Sequence, residues 1–120
     1  MTKKQIIKGK QRCDLPVIKF YTKKGKYKTM LIKADFEKLN LHGKNFVKLA
    51  YDSETKKIEM LFTYEKQLNS YRLNDKRIIA KQISANAILK QIDIDVTGKT
   101  FALKYIAKDT LEADLSKEME

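Results

Sequence analysis

The residues that most often carry enzyme chemistry are few and scattered in this chain of 120 residues. A Ser-His-Asp triad would have to use His42, the single histidine, but its position beside Gly43 in a predicted turn favours a surface role. Cys13 is the single cysteine, so neither an intrachain disulfide nor a multi-cysteine metal site can form. The chain also has no phosphate-loop, GxGxxG, HExxH or CxxC motif. The sequence therefore predicts a protein that is not an enzyme and binds no cofactor.

Two carboxylates in the segment IDIDV are the remaining candidates for metal chemistry. Asp93 and Asp95 alternate with apolar residues, which predicts a strand with both carboxylates on one face. No further type of metal ligand clusters with them in the sequence. We expect two solvated, outward-facing carboxylates and no metal site.

Tyrosine and lysine residues are interleaved in two parts of the chain. The segment VIKFYTKKGKYK, residues 17–28, holds three aromatic residues and five lysines, and a second aromatic and basic run extends from residue 64 to residue 77. Aromatic rings stack on unpaired bases, and ammonium groups contact phosphates, so this pattern is typical of a surface that binds nucleic acid. The candidate binding residues are Lys19, Tyr21, Lys23, Lys24, Lys26, Tyr27, Lys28, Tyr64, Tyr71, Arg72 and Arg77.

The net charge of +11 favours a polyanionic partner and is unevenly distributed. Residues 109–120 carry five acids and one lysine, a charge of −4, so the other 108 residues carry +15. A body that basic attracts nucleic acid or an anionic membrane surface. No apolar run reaches the roughly 20 residues of a membrane span, and no signal-peptide pattern is present. We expect a cytoplasmic protein that does not enter a membrane.

Short alternating segments predict a mainly β fold. Residues 15–23 and 27–33 read as strands around a turn at Gly25, and 46–51, 57–64, 77–83, 92–96 and 100–106 read as further strands. Residues 34–40 predict one or two helical turns capped by Asp35, and Ser84 predicts the cap of a second short helix. Residues 65–76 are polar and read as a long loop.

These elements predict a small single-domain barrel with two short helices, similar to a variant OB-fold. The expected organisation is a basic flexible arm over residues 1–12, a nucleic-acid-binding barrel over 13–108 and an acidic tail over 109–120. Residues 32–49 and 83–104 also share a pattern of strand end, short helix and Gly-Lys-x-Phe. A true repeat would give a pseudo-symmetric barrel of two strand-helix-strand-strand halves.

The hairpin VIKFYTKKGKYKTMLIK, the short-stranded pattern through TFALKYI and the acidic end LEADLSKEME resemble small single-stranded-DNA-binding proteins of phages that infect lactic acid bacteria. The resemblance implies an oligonucleotide-binding barrel, a homodimer or higher homo-oligomer, and partners in DNA replication and recombination. The tail ends in KEME, without the aromatic and proline residues that recruit partners in functionally related bacterial proteins. Single-stranded DNA is the expected ligand, with RNA as an alternative.

The segment TMLIKADFEKLNLHGKNFVKLAYDSETKKIEMLF resembles a different family, the AbrB-like swapped-hairpin regulators. This second resemblance implies a pseudo-symmetric swapped-hairpin barrel that binds duplex DNA through a basic face and regulates transcription. It leaves the basic hairpin at residues 17–28 unexplained. Outside nucleic acids, the alternative is a protein-interaction module that binds an acidic partner.

Overall fold

The computed structural model describes residues 16–77 and 80–119, with the backbone alone at Lys23 and at residues 75–77. The basic arm expected over residues 1–12 lies outside the described residues. Nine strands and one short helix form the described part of the chain. They are β1 (Val17–Lys23), β2 (Tyr27–Lys33), β3 (Phe46–Asp52), β4 (Lys57–Thr63), β5 (Ser70–Arg72), β6 (Asn74–Arg77), β7 (Ala80–Ser84), α1 (Asn86–Leu89), β8 (Thr100–Ala107) and β9 (Thr110–Asp114).

The strands form one antiparallel sheet in the order β5-β3-β4-β9-β8-β1-β2-β7-β6. The two ends of this order, β5 and β6, are consecutive in the chain and are separated only by Leu73. β5 pairs with β3, β6 pairs with β7, and the Leu73 N–H donates to the carbonyl of Asn45 at 2.8 Å. Residues 70–77 therefore join both edges of the sheet and nearly close it into a barrel. β5 and β6 together occupy one of its eight strand positions. The prediction of a small, mainly β barrel is confirmed, whereas the prediction of a long loop over residues 65–76 is wrong.

Alternation along the strands fills the barrel with apolar side chains. Ile18 and Phe20 of β1 are fully buried, whereas Lys19 between them is exposed. The Phe20 ring meets the Phe101 ring of β8 edge to face, with 6.0 Å between the ring centroids. An eight-stranded barrel has an interior just wide enough for side chains to fill, which this core does.

The last strand corrects the expected domain boundary at residue 108. β9 lies between β4 and β8 in the sheet, and Leu111, Ala113 and Leu115 are buried in the core. Glu112 and Asp114 alternate with them on the outer surface, so the acidic residues obey the strand period of two. Residues 110–114 are thus a central strand of the barrel and not a detached acidic tail.

Short helical segments close the two ends of the barrel. At one end, the Asp35 Oδ1 accepts the Lys38 N–H at 3.1 Å, which confirms Asp35 as the cap of the helical turn at residues 36–40. At the other end, α1 has Ala85 as its N-cap, without a side-chain hydrogen bond, so the prediction that Ser84 caps this helix is wrong. Residues 92–96, predicted as a strand, are irregular and place Ile92 and Val96 over the core. The end that carries α1 also carries the turns at residues 24–26 and 53–56, and we call it the α1 end.

The strand order has a pseudo-twofold relation between the two halves of the chain. If β5 and β6 are counted as one strand position, exchanging β1 with β5/β6, β2 with β7, β3 with β8 and β4 with β9 gives the same set of neighbouring strand pairs. Gly43 and Gly98 occupy equivalent places, with φ values of +83° and +80°. The following lysines are also equivalent, because Lys44 N–H donates to the Leu41 carbonyl and Lys99 N–H to the Val96 carbonyl, both at 3.1 Å. The shared Gly-Lys-x-Phe pattern therefore marks matching positions in the fold.

Candidate nucleic-acid interface

The charges on the barrel are segregated by strand. The neighbouring strands β8, β1, β2 and β7 contain no aspartate or glutamate and six lysines, of which Lys81 of β7 is buried with its ammonium 5.2 Å from the Phe36 ring centroid. All the acidic residues in strands belong to β3, β4, β6 and β9. We call the outer surface of β8-β1-β2-β7 the acid-free face. The turn at residues 24–26, which joins β1 to β2, adds two more lysines to it.

The β1–β2 hairpin projects the predicted lysines at the α1 end of this face. Its turn needs positive φ at two successive residues, Lys24 at 54° and Gly25 at 74°, and glycine adopts such a conformation without a steric penalty. Both turn lysines, Lys24 and Lys26, are exposed. Lys19 lies further along β1 and is also exposed, between Leu31 of β2 and Thr100 of β8. The hairpin thus brings Lys19, Lys24 and Lys26 together on one element.

Two tyrosines of the hairpin differ in how freely their rings can meet a ligand. Tyr27 is 51% exposed, and the Lys26 Nζ lies 5.5 Å from its ring centroid. Tyr21 is half-buried, and its hydroxyl donates to Gln82 Oε1 at 3.3 Å. Of the two hairpin tyrosines among the candidate binding residues, Tyr27 therefore has the more accessible ring.

Lys28 joins the hairpin to α1 and is half-buried. Its backbone N–H donates to Asn86 Oδ1 at 3.4 Å, and its carbonyl accepts the Ala85 N–H at 2.9 Å. The Lys28 ammonium donates to Thr22 Oγ1 at 3.4 Å. The backbone of Lys28 is therefore fixed against α1 while its ammonium stays on the side of β1.

Two hollows adjoin Lys28 at the α1 end. The first has a volume of about 320 Å³ and is lined by Lys24, Tyr27 and Gln82 among others. The second has a volume of about 500 Å³ and is lined by Asn86, Lys90 and residues 94–97. Lys28 lines both. Both hollows lie at the α1 end and share Lys28 as a lining residue, and we call the two together the groove.

The second predicted run does not form one surface with the hairpin. Tyr64 is 63% exposed at the opposite end of the barrel, where the Lys44 Nζ lies 4.7 Å from its ring centroid. Tyr71 of β5 is half-buried and packs against the core, while Arg72 beside it is exposed. The side chains of Lys23 and Arg77, which were also predicted, lie outside the described structure.

Two groups of polar contacts, one at each end of the barrel, were not apparent from the sequence. Lys44 forms an ion pair with Asp109 at the end opposite α1. At the α1 end, Asp93 Oδ1 accepts the Tyr51 hydroxyl at 2.5 Å and Asp93 Oδ2 accepts the Lys56 ammonium at 2.8 Å. Neither group has a sequence signal, because each contact joins residues that are far apart in the chain.

The pKa values of this second group follow from those contacts. The hydrogen bonds from Lys56 and then from Tyr51 hold the pKa of Asp93 below its usual value. Burial, together with the hydrogen bond to Asp93 and the charge of that carboxylate, raises the pKa of Tyr51 to about 12. Asp93, which we expected to be merely solvated, therefore ties the loop after α1 to the β3–β4 hairpin.

The described residues contain no group of three or more His, Cys, Asp or Glu side chains placed to hold a metal ion. Within the same residues, no helix is both long enough and apolar enough to cross a membrane. No protein-family model, curated protein or solved structure matches this chain.

Proposed function

We propose that the protein is a non-catalytic binder of single-stranded DNA with little sequence specificity. The observation that carries the proposal is the acid-free face, where β8, β1 and β2 present lysines and none of its four strands contains a carboxylate. Lysines that neutralise phosphates release condensed counterions, which supplies binding free energy irrespective of sequence. Carboxylates on the same strands would oppose that binding, and they are confined to other strands.

The exposed ring of Tyr27 favours a single strand over a duplex as the ligand. Stacking on an aromatic side chain requires a base that is not already stacked between its neighbours. Tyr27 stands among Lys24, Lys26 and Lys28, so a base on its ring would have its phosphates close to several ammonium groups. The exposed Tyr27 ring, with lysines on either side of it, therefore supports binding of an unpaired strand along the hairpin.

The resemblance to phage proteins extends the proposal to DNA replication and recombination in the cytoplasm of a host cell. It also extends to a homodimer or higher homo-oligomer with protein partners in those processes. An OB-fold is a five-stranded barrel, whereas this ring has eight strand positions. The proposed binding surface is therefore the acid-free face of this barrel and not the binding face typical of an OB-fold.

Charge reversal on the acid-free face tests the proposal. Lys19→Glu places a carboxylate among the lysines, and Lys66→Glu makes the same change at an exposed residue between β4 and β5. We expect Lys19→Glu to weaken binding of a labelled single-stranded oligonucleotide strongly at low salt and Lys66→Glu to weaken it much less. Equal losses from the two variants would show that the acid-free face is not the binding surface.

Duplex-DNA binding as a transcriptional regulator is a second candidate, and the pseudo-twofold relation between the two halves favours it. A fused pair of AbrB-like units would have this kind of internal symmetry. The two candidates differ in the preferred ligand, because a regulator of that class binds a duplex at least as tightly as a single strand. A protein-interaction module would show no salt-dependent binding to either.

A further inference from the structure

The groove at the α1 end contains two side-chain amides whose oxygen atoms are both occupied by the protein. Asn86 Oδ1 accepts the backbone N–H of Lys28, and Gln82 Oε1 accepts the hydroxyl of Tyr21. A backbone N–H can only donate, so it fixes the oxygen of Asn86 toward β2 and its NH₂ group away from it. Across the described part of the chain, neither amide nitrogen donates a hydrogen bond to another residue. Each hollow beside Lys28 is therefore lined by an amide with two available donors.

These donors have a definite preference among the bases of a single strand. Thymine and uracil carry a carbonyl oxygen, O4, at the position where cytosine carries the N4 amino group, which is a donor. An amide NH₂ group can bond to the oxygen, but it meets the amino group donor to donor. We propose that the groove is a base-reading site in which Gln82 and Asn86 select thymine or uracil over cytosine. This inference rests on the proposed binding of single strands and adds a base preference to it.

The surroundings of the two amides suit a strand that passes over Lys28. Lys24 lines the first hollow, Lys90 lines the second, and Lys28 lines both, so each hollow has two lysines among its lining residues. Asp95 is the one carboxylate among the lining residues, and its Oδ1 accepts the backbone N–H of Thr97 at 3.1 Å. With three lysines against one carboxylate, the groove attracts a polyanion while the amides contact its bases.

Comparison of two pyrimidine oligonucleotides tests this preference, because thymine and cytosine are similar in size and present an acceptor and a donor, respectively, at the 4-position. Equilibrium affinities of the full chain would be measured for labelled oligomers of dT and dC of about 15 nucleotides, a length within the usual range of binding-site sizes. We expect the wild type to bind dT more tightly by roughly three- to tenfold, the range expected of one or two net hydrogen bonds. Measurement of a uridine oligomer in a third arm distinguishes RNA from DNA as the source of the base. Tighter binding of this oligomer than of the dT oligomer assigns the site to RNA, and weaker binding assigns it to DNA.

Substitution of the amides provides the decisive comparison. Asn86→Asp replaces the donors by acceptors, so the ratio of dT to dC affinity should fall below that of the wild type and move toward dC, whose N4 donates to a carboxylate. Asn86→Leu removes the donors without adding charge and should reduce the ratio toward one. Asn45→Asp makes the same change at an exposed residue at the other end of the barrel and should preserve the wild-type ratio.

The possible outcomes separate this inference from the proposed function. Tight, salt-dependent binding with a dT to dC ratio that is the same in Asn86→Asp, Asn86→Leu and wild type would overturn the base-reading site and leave single-strand binding intact. A shift of the ratio in the Asn86 variants but not in Asn45→Asp would support the site. Absence of binding to every oligonucleotide would overturn both.

Discussion

The ammonium of Lys44 lies 2.6 Å from Asp109 Oδ2, and the two side chains are only 8% and 19% exposed. Lys44 follows the helical turn at one end of the barrel, and Asp109 forms part of the turn between β8 and β9. The contact ties these two segments together across the barrel end. A carboxylate that belongs to an acidic stretch of sequence therefore has a structural partner.

We expect removal of this carboxylate to destabilise the fold. Asp109 has a φ of +60°, which asparagine also tolerates, so Asp109→Asn removes the charge without straining the backbone. Because Lys44 is then left buried without its partner, the free energy of unfolding should fall by about 3 kcal/mol, the lower limit for breaking a buried ion pair. Denaturant titration measures this change in the free energy of unfolding, with Glu65→Gln as a control at an exposed carboxylate. Addition of Lys44→Met to the Asp109→Asn variant should restore part of the lost stability. A loss of stability in Asp109→Asn no larger than that in Glu65→Gln would contradict a stabilising role for the ion pair.

Truncation after Lys108 tests whether the acidic C-terminal stretch belongs to the barrel. It removes β9, which supplies the buried Leu111 and pairs with both β4 and β8. We expect no cooperative thermal transition from the shortened chain. Truncation after Lys117 keeps the whole of β9 and should leave a cooperative transition close to that of wild type. A truncation at 108 that melts cooperatively and binds oligonucleotides more tightly at low salt would instead support a detached, competing tail.

The contacts of Asp93 predict a dependence of stability on acid pH. The pKa of this carboxyl group is lower in the folded protein than its ordinary value of 3.8, so its contribution to stability is present above that value and is lost as the pH falls through the folded pKa. Thermal melts of wild type and Asp93→Asn should therefore differ at neutral pH, and the difference should shrink as the pH falls below 3.8 and through the folded pKa. Asp95→Asn, at an exposed carboxylate in the same loop, serves as a control. A difference in Tm that is the same at every pH would show that the Asp93 charge does not stabilise the fold.

Tyr27→Ala should weaken single-strand binding by about 1–3 kcal/mol, the usual effect of losing one stacked base. The dependence of affinity on salt should be unchanged, because no phosphate contact is removed. Tyr64→Ala removes a similarly exposed ring at the opposite end of the barrel and should leave affinity intact. We expect Tyr21→Ala to lower the Tm as well, because the Tyr21 ring is half-buried. Equal affinities for Tyr27→Ala and wild type would exclude stacking at this residue.

The sequence predicted the β1–β2 hairpin well because local rules decide it. Alternation placed Ile18 and Phe20 in the core, and Gly25 identified the turn. Residues 70–76 were predicted as part of a loop because β5 and β6 are short and polar, and they form strands by pairing with two different edges of the sheet. The alternation of β9 was obscured by its acids, while residues 92–96 alternate like a strand but have no strand beside them.

The candidate site was only partly predictable for the same reason. Lys19, Lys24, Lys26 and Tyr27 lie within one hairpin, so their proximity follows from local structure. The acid-free face and the contact of Lys28 with α1 depend on which strands become neighbours, and that is decided by tertiary packing. No periodicity within a single segment carries this information.

The most direct test of single-strand binding is titration of matched single-stranded and duplex oligonucleotides by fluorescence polarisation at several salt concentrations. We expect tighter binding of the single strand at each salt concentration, with a log–log slope of about −0.7 for each phosphate contact. Lys24→Ala should reduce the magnitude of that slope by about one contact if Lys24 meets a phosphate. Binding of the duplex that equals or exceeds that of the single strand would contradict the account and favour the duplex-binding regulator instead.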